Sequence, residues 1–355
     1  MTITYSSDVS HSSTKTVVKI LCRWRGSIWK AVLPPLFIWI LLYLAIAHVY
    51  RFLLTDNIKS HFESLVLYLN TSIDAYIPLT FMLGFFVTII IGRWSQMLNG
   101  IGWIDNAAMA FATFIRGSDE ETRLLRRTLI RYMVLSQTLV LRDVSIQVRK
   151  RFPKIHFLVT IGIATEREIG VLETVDDEYS RYWIPLTWCY QHLNDAREAG
   201  KITSDHLMVK IVHEVQKFQE GLHLLLKFDW IPVPLIYPQV VLLSVRLYFC
   251  ICLVSRQIVV HKAGDFDLWW LPLTTIIQFI VFMGWTKVAE SLLNPLGDDD
   301  EDLECNYVID KNLTSGMLLV DQGSQAPPAM MDTDDLAENT TNLTVSSTFK
   351  AIDEP

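Results

Sequence analysis

The stretch AVLPPLFIWILLYLAIAHVY, residues 31–50, carries no Asp, Glu, Lys or Arg over 20 residues. A helix of that length rises about 30 Å, the thickness of a bilayer's hydrocarbon core. Working outward, Tyr76 to Gly92 is uncharged, Trp230 to Ser255 is interrupted only by Arg246, and Leu268 to Trp285 again carries no formal charge. Trp, Tyr, Lys or Arg flank these runs, as they do at membrane interfaces. With 51% hydrophobic residues and a mean hydropathy of +0.28, an ordinary soluble domain is excluded. The expectation is an all-α membrane protein with four transmembrane spans. Pro34-Pro35 inside the first run, with no small-residue cleavage site after it, argues for a retained span rather than a secretory signal.

Lys15, Lys19, Arg23, Arg25 and Lys30 precede the first span, opposed only by Asp8. Positive flanks stay on the cytoplasmic side, and four spans return the chain there, so both termini are expected in the cytoplasm. Residues 1–30 form an amino-terminal segment, 31–92 hold spans one and two, 93–229 are cytoplasmic, and 230–294 hold spans three and four. The links Arg51 to Ala75 and Arg256 to Asp267 face outward. A plasma-membrane location is the expectation. Cys22, Cys189, Cys250, Cys252 and Cys305 form no CxxC pair and are read as free thiols.

The cytoplasmic segment reads as helix. Asp119-Glu120-Glu121 opens a stretch from Thr122 to Phe152 that Pro153 closes. Arg123, Arg127 and Arg131 repeat every four residues along it, forming one cationic stripe. A salt-bridged face is the plain reading; a vestibule that concentrates anions is the sharper one. Ser204 caps a second stretch in which Leu207, Ile211, Val215, Phe218 and Leu222 share a face. From Asp321 to Pro355 the composition turns to Ser, Thr, Asn, Asp and Pro, and a disordered tail is expected. Asn70-Thr71-Ser72 is a sequon on the outward side, whereas Asn339 and Asn342 fall in the cytoplasmic tail.

Two constellations point to chemistry. Asp298-Asp299-Asp300-Glu301-Asp302 follows the fourth span, and five adjacent carboxylates near an anionic surface call for a hard cation. An EF-hand starting at Asp298 fails, because Leu303 stands where the loop needs Gly and Ile309 where it needs Glu. Asn294-Pro295 just before the run suits a turn that presents free carbonyls. In the second span, Ile77, Phe81 and Phe85 lie four apart and are expected on one helix face. Such a stripe is most often lipid-facing or core. Repeated around an axis it makes an apolar neck that can empty of water, with positive ring edges that tolerate anions. Pro78 suits a helix start, and Gly84 permits close helix approach.

The opening Met-Thr-Ile-Thr-Tyr, Trp24-Arg25-Gly26-Ser27, the run from Arg123 to Tyr132, Arg151-Phe152-Pro153, Gly284-Trp285 and Asn294-Pro295 occur in one order. In these strings, over about residues 1 to 320, the sequence resembles the bestrophins, calcium-activated anion channels. The resemblance implies a homopentamer around one axial pore that conducts chloride and other monovalent anions through the bilayer. It puts Ile77, Phe81 and Phe85 at the neck and His206 at a cytoplasmic aperture, where relatives commonly carry a small aliphatic residue. It also implies a calcium ion held by the side chains of Asp299 and Asp302 and by backbone oxygens of Ser10, Ser291 and Asn294. Residues 295–320 then form the calcium clasp and a peripheral wrap.

Protonation of His206 is expected to make conductance depend on cytoplasmic pH. A coupled transporter would want internal repeats and ionisable groups deep in its spans, and Arg246 is the one formal charge there. No HExxH, GxSxG or phosphate-binding glycine loop suggests an enzyme, and nothing suggests a nucleic-acid partner. A scaffold that modulates other channels is the remaining alternative.

Overall fold

Charge-free runs become helices here because a backbone in lipid must satisfy its own hydrogen bonds. The computed structural model describes residues 5, 9, 11, 13–259, 271–323, 325, 329 and 330, with 72–75 and 178 described by backbone alone. In order, the helices are α1 (Thr14–Leu21), α2 (Ile28–His48, extended by a π turn Val49–Leu53), α3 (Asp56–Tyr76), α4 (Leu79–Asn99), α5 (Asp105–Phe114), α6 (Glu120–Val144), α7 (Ile146–Arg151) and α8 (Phe157–Thr160). They continue as α9 (Glu166–Glu173), α10 (Glu178–Arg181), α11 (Ile184–Glu198), α12 (Asp205–Trp230), α13 (Ile236–Ser255), α14 (Leu273–Leu292) and α15 (Cys305–Gln322). No strand occurs among the described residues.

Two cores result. In the first, Val32, Leu36 and Tyr43 of α2 pack with Leu83, Phe86 and Ile90 of α4, Val245 and Phe249 of α13, and Phe279 and Met283 of α14. Buried polar tips find carbonyls: Trp39 Nε1 donates to Phe249 O at 2.8 Å and Tyr43 Oη to Arg256 O at 2.9 Å. The outward side of this bundle is also apolar, with Phe37, Ile38, Leu41 and Leu42 exposed. That surface is costly in water and favourable in lipid. Among the described residues, three helical stretches, Ile28–Leu53, Leu79–Asn99 and Ile236–Ser255, are long and apolar enough to cross a membrane.

The second core surrounds α6. Asp119 caps it, its carboxylate accepting Thr122 N–H at 2.9 Å. Tyr132 to Leu141 is buried on every face, the signature of a helix enclosed by others. Its polar groups are spoken for: Ser136 Oγ donates to Tyr182 O at 2.6 Å and Thr138 Oγ1 to Val134 O at 2.7 Å. The two cores meet where α4 reaches α12. A Cβ added to Gly100 would lie 2.8 Å from Gly221 O, so two glycines let these backbones touch.

Several boundaries differ from the sequence expectation. The link expected to face outward holds a 21-residue helix, α3, hidden because Asp56, Lys59 and Glu63 interrupt its apolar residues. The stretch Thr122 to Phe152 is two helices, broken at Ser145, whose backbone is extended at φ −118° and ψ 125°. Trp230 closes α12 instead of opening a span, and Ile231 to Leu235 is non-helical. The last predicted run continues past Trp285 to Leu292, gaining Lys287 and Glu290. Asp321 is not the start of a tail but lies in α15, paired to Arg127. Most of the remaining tail, with Asn339 and Asn342, is outside the described residues. All five cysteines are free thiols.

Candidate pore face and acidic clasp

Helix α4 has two unlike sides. Leu79, Leu83, Phe86 and Ile90 are buried against the bundle. Phe81 and Phe85 point the other way, 66% and 57% exposed, with ring centroids 4.7 Å apart edge to face. Ile77 is half-buried and precedes the helix, its carbonyl accepting Leu79 N–H at 2.8 Å. The single-face reading therefore holds for Phe81 and Phe85, while Ile77 stands one step ahead in the link from α3. The proline ring dictates this: Pro78 sits at the cap, so the helical ladder starts at Leu79. A Cβ on Gly84 would meet nothing within 4 Å, so among the described residues no helix closes on it.

His206 occupies the first turn of α12, exposed, beside the Ser204 cap that accepts Leu207 N–H at 3.4 Å. It lies roughly 22 Å along the helix axis from the Gly221 contact with α4. Phe81 and His206 thus stand at far ends of two helices joined at Gly100 and Gly221.

The acidic run is a closed loop between α14 and α15. Asn294 Oδ1 accepts Leu296 N–H at 3.4 Å, and Leu303 N–H donates to Pro295 O at 2.9 Å. Asp302 is buried and its Oδ2 accepts Asp299 N–H at 2.8 Å. Burial raises its carboxyl to about 6; that hydrogen bond opposes the rise, and the charges of Asp299, Glu301 and Asp298 add to it. The other acids point elsewhere. Asp300 meets Lys30 at 3.0 Å and Arg25 at 3.4 Å, contacts that hold its carboxyl below the usual range. Asp298 contacts Lys150.

Oxygens converge around Gly297. A Cβ there would fall 2.6 Å from Asp302 Oδ2 and 3.4 Å from Asn294 O, so the space that a side chain would fill is left between a carboxylate and a carbonyl. Ser291 is in the last turn of α14 and Asn294 just beyond it, where carbonyls lack helical donors and the dipole is negative. Among the described residues no three His, Cys, Asp or Glu side chains group as a metal site. A cation here depends on such carbonyls as well as carboxylates. Ser10 lies outside the described residues.

The arginine stripe of α6 is salt-bridged. Arg127 meets Asp321 at 2.5 Å and Arg123 meets it at 3.4 Å. Arg131 is bidentate to Glu168, 2.6 Å on each arm, and donates to Ile163 O at 3.0 Å. Within one chain, no cationic vestibule is left on this row. Arg246 points to Glu290 at 3.4 Å.

The structure also shows contacts that spacing did not reveal. Gln137 Nε2 donates to Ile101 O and Gly102 O at 2.6 and 2.8 Å. Asn312 Nδ2 reaches Gly102 O and Gln137 Oε1, both at 2.9 Å. This buried knot ties α15 and α6 to the turn that ends α4. The available signal was one amide, Gln137, between Ser136 and Thr138 in the middle of a stretch of α6 that is apolar on both sides. Arg151-Phe152-Pro153 forms another joint: Arg151 is bidentate to Asp310 at 2.9 Å, Phe152 is buried, and Arg142 donates to the carbonyls of Phe152 and Pro153.

Residues 1–322 match the family model described as bestrophin, RFP-TM, chloride channel. The chain belongs to the bestrophin family. Bestrophin homolog 22 of Caenorhabditis elegans is 53% identical over 323 residues, covering 90% of this chain and 64% of its own. Bestrophin homolog 24 of the same organism is 41% identical, covering all of this chain and 56% of its own. The chain thus spans less than two thirds of the length of these bestrophin relatives. A crystal structure of a bacterial bestrophin homolog from Klebsiella pneumoniae shares the fold at a TM-score of 0.59 and 18% identity, over 85% of this chain and 100% of that one. A tryptophan-to-alanine variant of that bestrophin gives 0.62, covering 85% and 100%.

Proposed function

We propose that five copies of this chain surround one axial pore in the plasma membrane and conduct chloride, with calcium setting the open fraction. The observation that carries this reading is α4, whose one side is buried in its own bundle while Phe81 and Phe85 stand exposed on the other. Five such faces around an axis form a narrow apolar neck, with Ile77 at its outer rim. Water leaves such a constriction readily, which blocks ions when it is narrow. Ring edges turned inward carry partial positive charge and favour an anion over a cation. His206 lines the cytoplasmic aperture, so permeant ions pass two constrictions in series.

Asp299 and Asp302, with backbone oxygens of Ser291, Asn294 and Ser10, hold the calcium ion. When bound, calcium supplies two positive charges among the mutually repelling carboxylates of 298–302. Asp302 orients the loop through its bond to Asp299 N–H, and Gly297 keeps the space open. The loop runs directly into α15, which the Gln137–Asn312 knot fastens to the turn after α4. An arrangement of clasp and neck that binds the ion more tightly gains population. A four-span path, with α14 as the fourth span and both termini in the cytoplasm, puts clasp and aperture on one side.

Planar-bilayer recording of purified protein, with calcium stepped on the cytoplasmic side, tests this directly. The expected result is a current that grows with calcium and reverses near the chloride potential. A protein that inserts as a pentamer yet passes no current at any calcium level overturns it.

A further inference from the structure

Helix α1 is eight residues long, capped by Ser13, and contains no buried residue. At 100° per residue, Val17, Val18, Ile20 and Leu21 fall on one side and Lys15 and Lys19 on the other. Val17, Val18 and Leu21 are more than half exposed, as is Trp24 just beyond the helix. Helix α1 is not a loose end. Trp29 Nε1, in the first turn of α2, donates to Leu21 O at 2.6 Å. Arg25 and Lys30, from the connector and the start of α2, hold Asp300 of the acidic loop. Helix α1 is therefore tied to the start of α2, a helix long and apolar enough to cross a membrane, on which Ile28 and Leu33 are also exposed.

We propose that α1 lies in the plane of the membrane surface as a basic amphipathic helix that reads anionic phospholipid. Three observations converge on a lipid occupant. The exposed apolar side belongs to a helix tied to the start of α2. Lys15, exposed on the side opposite the apolar residues, supplies charge opposite to an anionic leaflet. Trp24 is the residue type that settles at headgroup depth. Each lysine near such a surface contributes about fivefold to partitioning. This inference does not depend on the channel reading; it needs only that α2 crosses the membrane.

The test uses the full chain in nanodiscs, with spin labels at Val18→Cys or Lys15→Cys in a background where Cys22 and Cys250 are replaced by Ser. Collision with oxygen reports lipid, and collision with a water-soluble nickel chelate reports solvent. Discs contain phosphatidylcholine with or without phosphatidylserine. The expected result is a label at 18 that is oxygen-accessible and nickel-shielded with phosphatidylserine, while the label at 15 shows the reverse. Lys15→Gln should lower the inserted fraction at 18 about fivefold in phosphatidylserine discs. Particle mass, measured alongside, confirms intact assembly of each variant. Nickel access at 18 in both lipids overturns the proposal. Shielding from both probes, the sign of a second copy covering the face, overturns it as well. Insertion that ignores phosphatidylserine overturns the anionic preference.

Discussion

The exposed side of α4 and the acidic loop after α14 are opposite kinds of incompleteness. On α4, Phe81 and Phe85 are apolar and, apart from their contact with each other, largely exposed. In the loop three of the five acids have a local role for their carboxylates: Asp300 on Lys30, Asp298 on Lys150, Asp302 on Asp299 N–H. The proposed neck would need further copies of the chain, whereas four of the five residues proposed for the clasp lie together in one chain, in the last turn of α14 and the loop after it. Perturbing the neck should therefore change conduction without changing ion binding, and perturbing the clasp should do the opposite.

The largest expected effect is in the neck. Phe81→Ala with Phe85→Ala should raise calcium-free current by about 100-fold, the shift of a mostly closed population to a mostly open one. Calcium affinity, measured by titration calorimetry, should stay within about twofold. Loss of calcium binding in this variant would merge the two regions and break the contrast.

Asp302→Ala comes next. Removing this buried carboxylate, a proposed calcium ligand, should move the calcium needed for half-activation by at least about tenfold, with the oligomer's mass unchanged by light scattering. Gly297→Ala should act in the same direction and more weakly, since its Cβ crowds Asp302 Oδ2 at 2.6 Å.

Without calcium, Asp302 has a folded value of about 6 against an ordinary 3.8. The native state holds that proton more tightly than the unfolded chain. Stability from this group is full below 3.8 and lost as pH rises through about 6. Asp302→Asn should thus be more stable than wild type by about 1 kcal/mol at pH 7.5, the gap closing toward pH 4. Denaturant unfolding in chelator checks this. A constant gap across that range would mean that the carboxyl does not titrate there.

The smallest effect is expected at His206. His206→Ala should change unit conductance by about twofold, because a smaller side chain widens the proposed aperture. Equal conductances in the two proteins would remove His206 from the ion path.

Much of the architecture was legible because lipid imposes a crude rule: charge must stay out of long spanning helices. That rule located α2, α4 and most of α13. It missed α3, which mixes Asp56, Lys59 and Glu63 with apolar residues, and the break at Ser145, where no Pro or Gly marks it. The neck stripe was visible as spacing, yet the helix start at Leu79 set Ile77 apart. The acidic run was conspicuous, but spacing alone could not sort Asp302 from Asp300. The Gln137–Asn312 knot had only one odd amide to betray it.

What the chain's order of residues determined alone was the set of helical segments, which of them suit lipid, and that acids cluster after the last long apolar run. These depend on neighbours three, four or seven positions away, within reach of one helix. What only the tertiary structure decided was which charges are neutralised and which face remains open. Arg127 and Asp321 are 194 residues apart, and Lys30 and Asp300 are 270 apart. A stripe of arginine or phenylalanine specifies a face by periodicity. Whether that face meets acid, protein or nothing depends on a segment brought there by packing, and no local spacing records it.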